Sequence, residues 1–229
     1  VINGNTFANN SVAEVVASGV LSTLANLGET GNIEIPGITV AQGGDLRVAS
    51  GRNVTVSNNI SVAAGGMFTV NSGAMVKVGD GVEINVNGTF KATGATFTWA
   101  DGQTQWNGIL FEGTGANGSR LENCILEHGR GTANEYYQGW HGSSYSGWIN
   151  HGYGIIRIKE SSPTITGCTI GNSDNQFGIF MRNSSAVTSN NTISGMTSQG
   201  MPGYGSDGIG IYVEKDSAPT VTGNTINNN

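Results

Sequence analysis

Three stretches of the chain superimpose at one constant offset: Ile38, Ile60 and Val82; Val40, Val62 and Ile84; Gly44, Gly66 and Gly88; Leu46, Phe68 and Phe90; Val48, Val70 and Ala92. Within each unit apolar residues stand at alternate positions, as in Leu46-x-Val48 and Phe68-x-Val70, so each set points to one side of a strand. A unit this short cannot bury its apolar face alone and must stack on its neighbours. Stacking at one strand spacing per coil, about 4.8 Å, puts equivalent side chains above one another as ladders inside a narrow tube. Gly44, Gly66 and Gly88 are expected to mark the bends, where a residue without Cβ takes positive φ.

The second half repeats less regularly. Asn123-Cys124-Ile125-Leu126, Gly167-Cys168-Thr169-Ile170, Asn190-Asn191-Thr192-Ile193 and Gly223-Asn224-Thr225-Ile226 align at unequal steps, of which only the middle one is a bare coil. Against that coil, the first step carries about 21 extra residues and the last about 10, so two insertions protrude, near 129–153 and 195–207. Gly154-Ile155 to Ser162-Pro163 matches Gly210-Ile211 to Ala218-Pro219 without a gap, and Gly178-Ile179 to Ser185-Ala186 fits with one residue removed.

Trp106-Asn107-Gly108-Ile109, Leu121-Glu122-Asn123-Cys124-Ile125 and Ser162-Pro163-Thr164-Ile165-Thr166-Gly167-Cys168-Thr169-Ile170 are the coil motifs by which the chain resembles the right-handed parallel β-helix superfamily, the pectate-lyase-like solenoids of secreted bacterial proteins and phage tailspikes. The resemblance covers nearly all of the chain. It implies an all-β, single-stranded right-handed parallel β-helix in one domain over residues 1–229. Its coils would be about 22–23 residues long, a length typical of solenoid repeats. It also implies an extracellular or cell-surface location. It is nearly silent about activity, because the scaffold carries lyases, hydrolases, epimerases, adhesins and inert spacers.

With 37 Gly and only 11% charged residues, the composition is that of neither a helical enzyme nor a nucleic-acid binder. Ten basic residues against sixteen acidic ones argue against phosphate partners. No apolar run reaches the length of about 18 residues that a membrane span needs. Val1-Ile2-Asn3-Gly4-Asn5-Thr6-Phe7 copies the motif at Val221-Thr222-Gly223-Asn224-Thr225-Ile226, so the chain is expected to start and stop in mid-coil, as a segment of a longer solenoid or with terminal coils completed by another molecule. Val12, Val16, Val20, Leu24 and Leu27 follow helical spacing, but Gly19 interrupts it, and strand and turn is the favoured reading.

Between His128 and Tyr153, in and beside the larger insertion, lie all three histidines (His128, His141, His151), together with Trp140, Trp148, Tyr136, Tyr137, Tyr145 and Tyr153. Flat aromatic faces in a Gly-rich loop suit stacking on sugar rings, and a loop that must be anchored to the tube would need the same residues. His128, His141 and His151 with Glu127 and Glu135 are of zinc-ligand type, yet their spacings match no helix or knuckle motif, and no metal or cofactor is assigned. The resemblance implies that a lyase would gather acidic residues around calcium with an Arg or Lys base, and a hydrolase several Asp on adjacent strands. The six Asp, at positions 45, 80, 101, 174, 207 and 216, are neither neighbours nor equivalent in the coil alignment. The acid/base candidates are therefore Glu127, His128, Glu135, His141 and Arg157. Arg157 stands opposite Val213 in the alignment, and a one-residue bulge would turn it outward while Ile156 and Ile158 face in.

Cys124 and Cys168 occupy the coil position held elsewhere by Asn191, Asn224 and Asn5, so they should stack on adjacent rungs as free thiols continuing an Asn ladder. The smaller insertion, with Met196, Met201, Pro202 and Tyr204, leaves its coil near the same place as the larger one, so both should flank one shallow groove. Three functional classes follow. The first is a structural surface module of adhesin or fibre type with glycan recognition by the aromatic loop. The second is a polysaccharide-active enzyme, and the third a head-to-tail filament.

Overall fold

A computed structural model describes residues 15–16, 19–21, 24–27, 33–100, 105–130, 136–141, 144–150, 154–173, 177–201, 205–214 and 216–229. Three long parallel sheets run along the tube, and the chain visits them in turn. Sheet 1 contains Val15–Val16, Ile33–Ile35, Asn53–Val56, Met75–Val78, Thr96–Trp99, Ile125–Glu127, Thr169–Ser173, the start of Thr192–Met201, and Thr225–Asn227. Sheet 2 contains Gly19–Leu21, Ile38–Val40, Ile60–Val62, Ile84–Val86, Ile109–Glu112, Ile156–Lys159, Phe177–Arg182 and Ile209–Val213. Sheet 3 contains Leu24–Leu27, Asp45–Val48, Met67–Val70, Thr89–Thr93, Arg120–Glu122, Thr164–Thr166, Val187–Ser189 and Thr220–Thr222. The described residues between 15 and 27 are all strand; Val12 and the links at 17–18 and 22–23 lie outside the described residues.

Alternation decides what enters the tube. Ile38, Ile60 and Ile84 form one inward ladder on sheet 2, and Leu46, Phe68 and Phe90 another on sheet 3. The Phe68 and Phe90 rings stack at 4.8 Å between centroids, with Phe97 edge-on to Phe90 at 5.9 Å. Each ring removes apolar surface from water and adds the offset-stacking attraction of its neighbour.

The coil register departs from the linear repeat in one place. Ile60 pairs with Ile84, and Val62 with Val86, so Ile84 and not Val82 follows Ile38 and Ile60, and Val86 and not Ile84 follows Val40 and Val62. The coil keeps its length but divides it differently: the turn from Val78 to Ile84 is longer than that from Val56 to Ile60, and the turn from Val86 to Thr89 is shorter than that from Val62 to Met67. Gly44, Gly66 and Gly88 are not the positive-φ residues; their neighbours Gly43 (φ 79) and Gly65 (φ 78) are. A Cβ on Gly88 would fall against the carbonyl oxygens of Ala63 and Gly66, so close approach of successive coils is what demands glycine there.

Between sheets 3 and 1 the turn is four residues long in the coils after Asp45–Val48 and Met67–Val70 and two residues long from Thr89–Thr93 onward. Asn123 (φ 53), Gly167 (φ 65), Asn190 (φ 56) and Gly223 (φ 64) supply its left-handed residue, and the next position forms the internal ladder. The Asn191 Oδ1 accepts from the Cys168 backbone N at 2.8 Å, and the Asn224 Oδ1 accepts from the Asn191 backbone N at 2.9 Å. Cys124 and Cys168 continue this ladder as buried free thiols. Hydrogen bonding to Cys124, followed by burial, pushes the Cys168 thiol up.

Candidate functional site

Both long interruptions leave the tube at the corner between sheets 1 and 2. After Ile125–Glu127 the chain makes an antiparallel hairpin, Tyr136–His141 with Ser144–Asn150, before rejoining at Ile156. Its register sets Trp140 opposite Tyr145, Gln138 opposite Trp148, Tyr137 opposite Ile149 and Tyr136 opposite Asn150. The second interruption extends Thr192–Met201 outward from sheet 1 and pairs it antiparallel with Gly205–Asp207. The hairpin therefore carries Tyr136, Tyr137, Trp140, His141, Tyr145 and Trp148 on its two strands, while Glu135, His151 and Tyr153 lie outside the described residues.

At the root of the hairpin, Glu127 and His128 come together. Thr98 Oγ1 donates to Glu127 Oε1 at 3.1 Å, Asn172 Nδ2 donates to Oε2 at 3.3 Å, and His128 Nε2 lies 4.0 Å from Oε2. The His128 ring lies flat on Trp99, with 3.8 Å between centroids and 3° between planes. Trp106 Nε1 donates to the Glu127 carbonyl at 2.8 Å, which ties the departing backbone to the buried indole. Beside it, Arg130 lies 3.8 Å from Asp80 and 3.4 Å from Asn107 Oδ1. Among the described residues no three His, Cys, Asp or Glu side chains are close enough to hold a metal ion.

Arg157 is on a different face. It stands in the outward row of sheet 2, where Asn85, Leu110, Arg157, Phe180 and Tyr212 follow one another. The pairing is continuous through Ile156, Arg157 and Ile158, so there is no bulge, and Arg157 is opposite Phe180 and then Tyr212 rather than Val213. The step from Ile156 to Ile179 and from Thr164 to Val187 is the same, so no residue is removed there; the extra one falls between Tyr212 and Thr220. Nor does Arg157 face solvent. It is 0% exposed and forms an ion pair with Glu83. Burial pulls its guanidinium down to about 10, since desolvation penalises the charged form.

Phe180 is also fully buried, and Tyr212 stacks on it at 5.8 Å with 5° between planes; Phe177 lies 4.9 Å from Tyr212. Alignment by coil motif does not mark this outward aromatic row. The signal was loss of alternation: Ile109-Leu110-Phe111 and Phe177 to Met181 are unbroken runs, as expected of strands covered on both faces.

A family model described as the right handed beta helix region matches residues 80–229. The chain belongs to the right-handed β-helix family. Neither the curated proteins nor the solved structures contain a match to it. For this right-handed β-helix the three parallel sheets, the Asn ladder and the short polar turn between sheets 3 and 1 are the scaffold, and membership fixes the winding without assigning an activity. No helix among the described residues is long and apolar enough to cross a membrane.

Proposed function

We propose that this right-handed β-helix is a module of an extracellular surface protein that recognises glycans through the hairpin at the corner between sheets 1 and 2. The observation that carries this reading is the placement of five Trp and Tyr residues on one antiparallel hairpin, at a corner that the regular coils cross in short turns such as residues 36–37 and 57–59. Aromatic rings offer apolar faces to the C–H surface of a sugar, and neighbouring Gln138, Asn150 and Ser144 supply hydrogen-bonding groups for hydroxyls. The second antiparallel extension, Thr192–Met201 with Gly205–Asp207, leaves from the same corner and gives the surface a second wall. A glycan array with the wild type, Trp140→Ala and Trp148→Ala tests the reading. Each substitution is expected to reduce binding about tenfold or more, and unchanged binding by both refutes it.

A further inference from the structure

We propose that the Trp99–His128–Glu127 corner at the root of the hairpin is a saccharide subsite of its own, built for the vicinal hydroxyls of a neutral sugar. This rests on the glycan reading only in that one oligosaccharide would reach both the corner and the hairpin. Thr98 and Glu127 belong to the outward row of sheet 1, whereas Trp99, paired with buried Val78, packs against the core at the end of its strand.

The first observation is the backbone of His128. Its φ is 60°, and the equivalent residues in the following coils are Asn172 (φ 54), Gly195 (φ 71) and Asn228 (φ 51). This position calls for Asn or Gly, which adopt the left-handed region with least strain. Histidine is also among the residues that occupy the left-handed region readily, so His128 places an imidazole ring at this turn at little backbone cost, where the following coils have only Asn or Gly.

The second observation is how the imidazole is held. Its ring is flat against Trp99, and its Nε2 faces the Glu127 carboxylate. Thr98 and Asn172 fix one carboxylate oxygen each, so the orientation of Glu127 is set before any ligand arrives, and each oxygen retains a further lone pair. The Glu127 and His128 side chains remain 30% and 22% exposed. A fixed carboxylate takes two adjacent hydroxyl donors, the Asn172 amide and the imidazole add hydrogen bonds, and the edge of the aromatic stack provides an apolar wall.

The third observation concerns charge. Among the described residues the charged side chains near the corner are Glu127, Asp80 and Arg130, with Arg130 engaged by Asp80 and Asn107, and Lys77, the strand neighbour of Thr98 in the preceding coil. A uronate would bring its carboxylate toward Glu127, whereas a neutral sugar meets no such repulsion.

The test is a titration of the whole chain with cellobiose, lactose and mannobiose, and with digalacturonate as the anionic arm, read from the NMR signals of the Trp99 indole N–H and the His128 ring. At least one neutral disaccharide is expected to shift both signals saturably. Glu127→Gln should weaken this binding about tenfold. His128→Asn, which suits the left-handed backbone, should abolish it while melting within about 3 °C of the wild type. The Trp140→Ala/Trp148→Ala double variant should keep the shifts at Trp99, so failure of the hairpin reading and failure of this one are separable. The proposal is overturned if no neutral disaccharide shifts Trp99 and His128, if His128→Asn binds as the wild type does, if digalacturonate binds more tightly than the neutral sugars, or if His128→Asn lowers the melting temperature well beyond that margin, which would make the stack a structural clamp.

Discussion

Replacing Phe90 by Ala removes the centre of the internal ring stack. Phe90 is fully buried, stacks on Phe68 at 4.8 Å, meets Phe97 edge-on at 5.9 Å and lies 6.4 Å from Phe111. A buried Phe→Ala change costs about 3–5 kcal/mol in transfer and cavity terms together. Coils above and below are tied by ladder hydrogen bonds on three sheets and cannot close in on the void, and the lost ring pairing adds about 1 kcal/mol. The expected loss is therefore near the top of that range, about 4–5 kcal/mol. With a guanidinium m-value of about 5 kcal/mol per molar, the unfolding midpoint should fall by about 0.9 M with little change in slope. Met75→Ala, at a partly exposed outward position, is the control and should stay within about 0.5 kcal/mol of the wild type. A Phe90→Ala loss below about 1.5 kcal/mol would refute the stacked ladder as a rigid core.

Other perturbations separate the scaffold's remaining forces. Glu83→Gln removes the carboxylate facing buried Arg157 and should cost about 3 kcal/mol, whereas Glu83→Gln with Arg157→Met should recover much of that loss, as a double-mutant cycle in denaturant would show. Gly88→Ala should destabilise by more than about 2 kcal/mol, because its Cβ meets carbonyl oxygens that are ladder backbone and cannot yield, while the same change at Gly51, where nothing lies within contact distance, should cost only the strain of its positive φ. Asn191→Ala should cost about 2 kcal/mol in a thermal melt, since it leaves the Cys168 backbone N without its 2.8 Å acceptor in the interior.

Much of the fold was legible because each ladder needs the same residue class at the same coil position. Leu46, Phe68 and Phe90 and the Cys124, Cys168, Asn191 and Asn224 row are both read directly from spacing and both observed. Spacing failed where turn lengths trade against one another inside a coil of constant length, as at Val82 and Ile84, because a linear offset counts residues and cannot tell which turn holds them. It failed again at Arg157. A charged residue between Ile156 and Ile158 reads as solvent-facing on a sheet with one covered face, but here the outward row is covered as well, and Glu83 from two coils earlier compensates the charge. The Glu127–His128 pair was visible as neighbours in sequence. Its partners Trp99, Thr98 and Asn172 come from adjacent coils and become neighbours only through the pairing of sheet 1.

The tube should stand without the aromatic hairpin, and the proposed glycan recognition should be lost with it. Deleting residues 132–152 makes the step from Ile125 to Thr169 equal to the step from Thr169 to Thr192, so the chain's own bare coil is the template for the closed turn. The deleted protein is expected to keep its β-sheet circular dichroism and a cooperative melt while losing the glycan-array signal of the wild type. A deletion variant that binds glycans as the full chain does, or that no longer folds, would contradict the account.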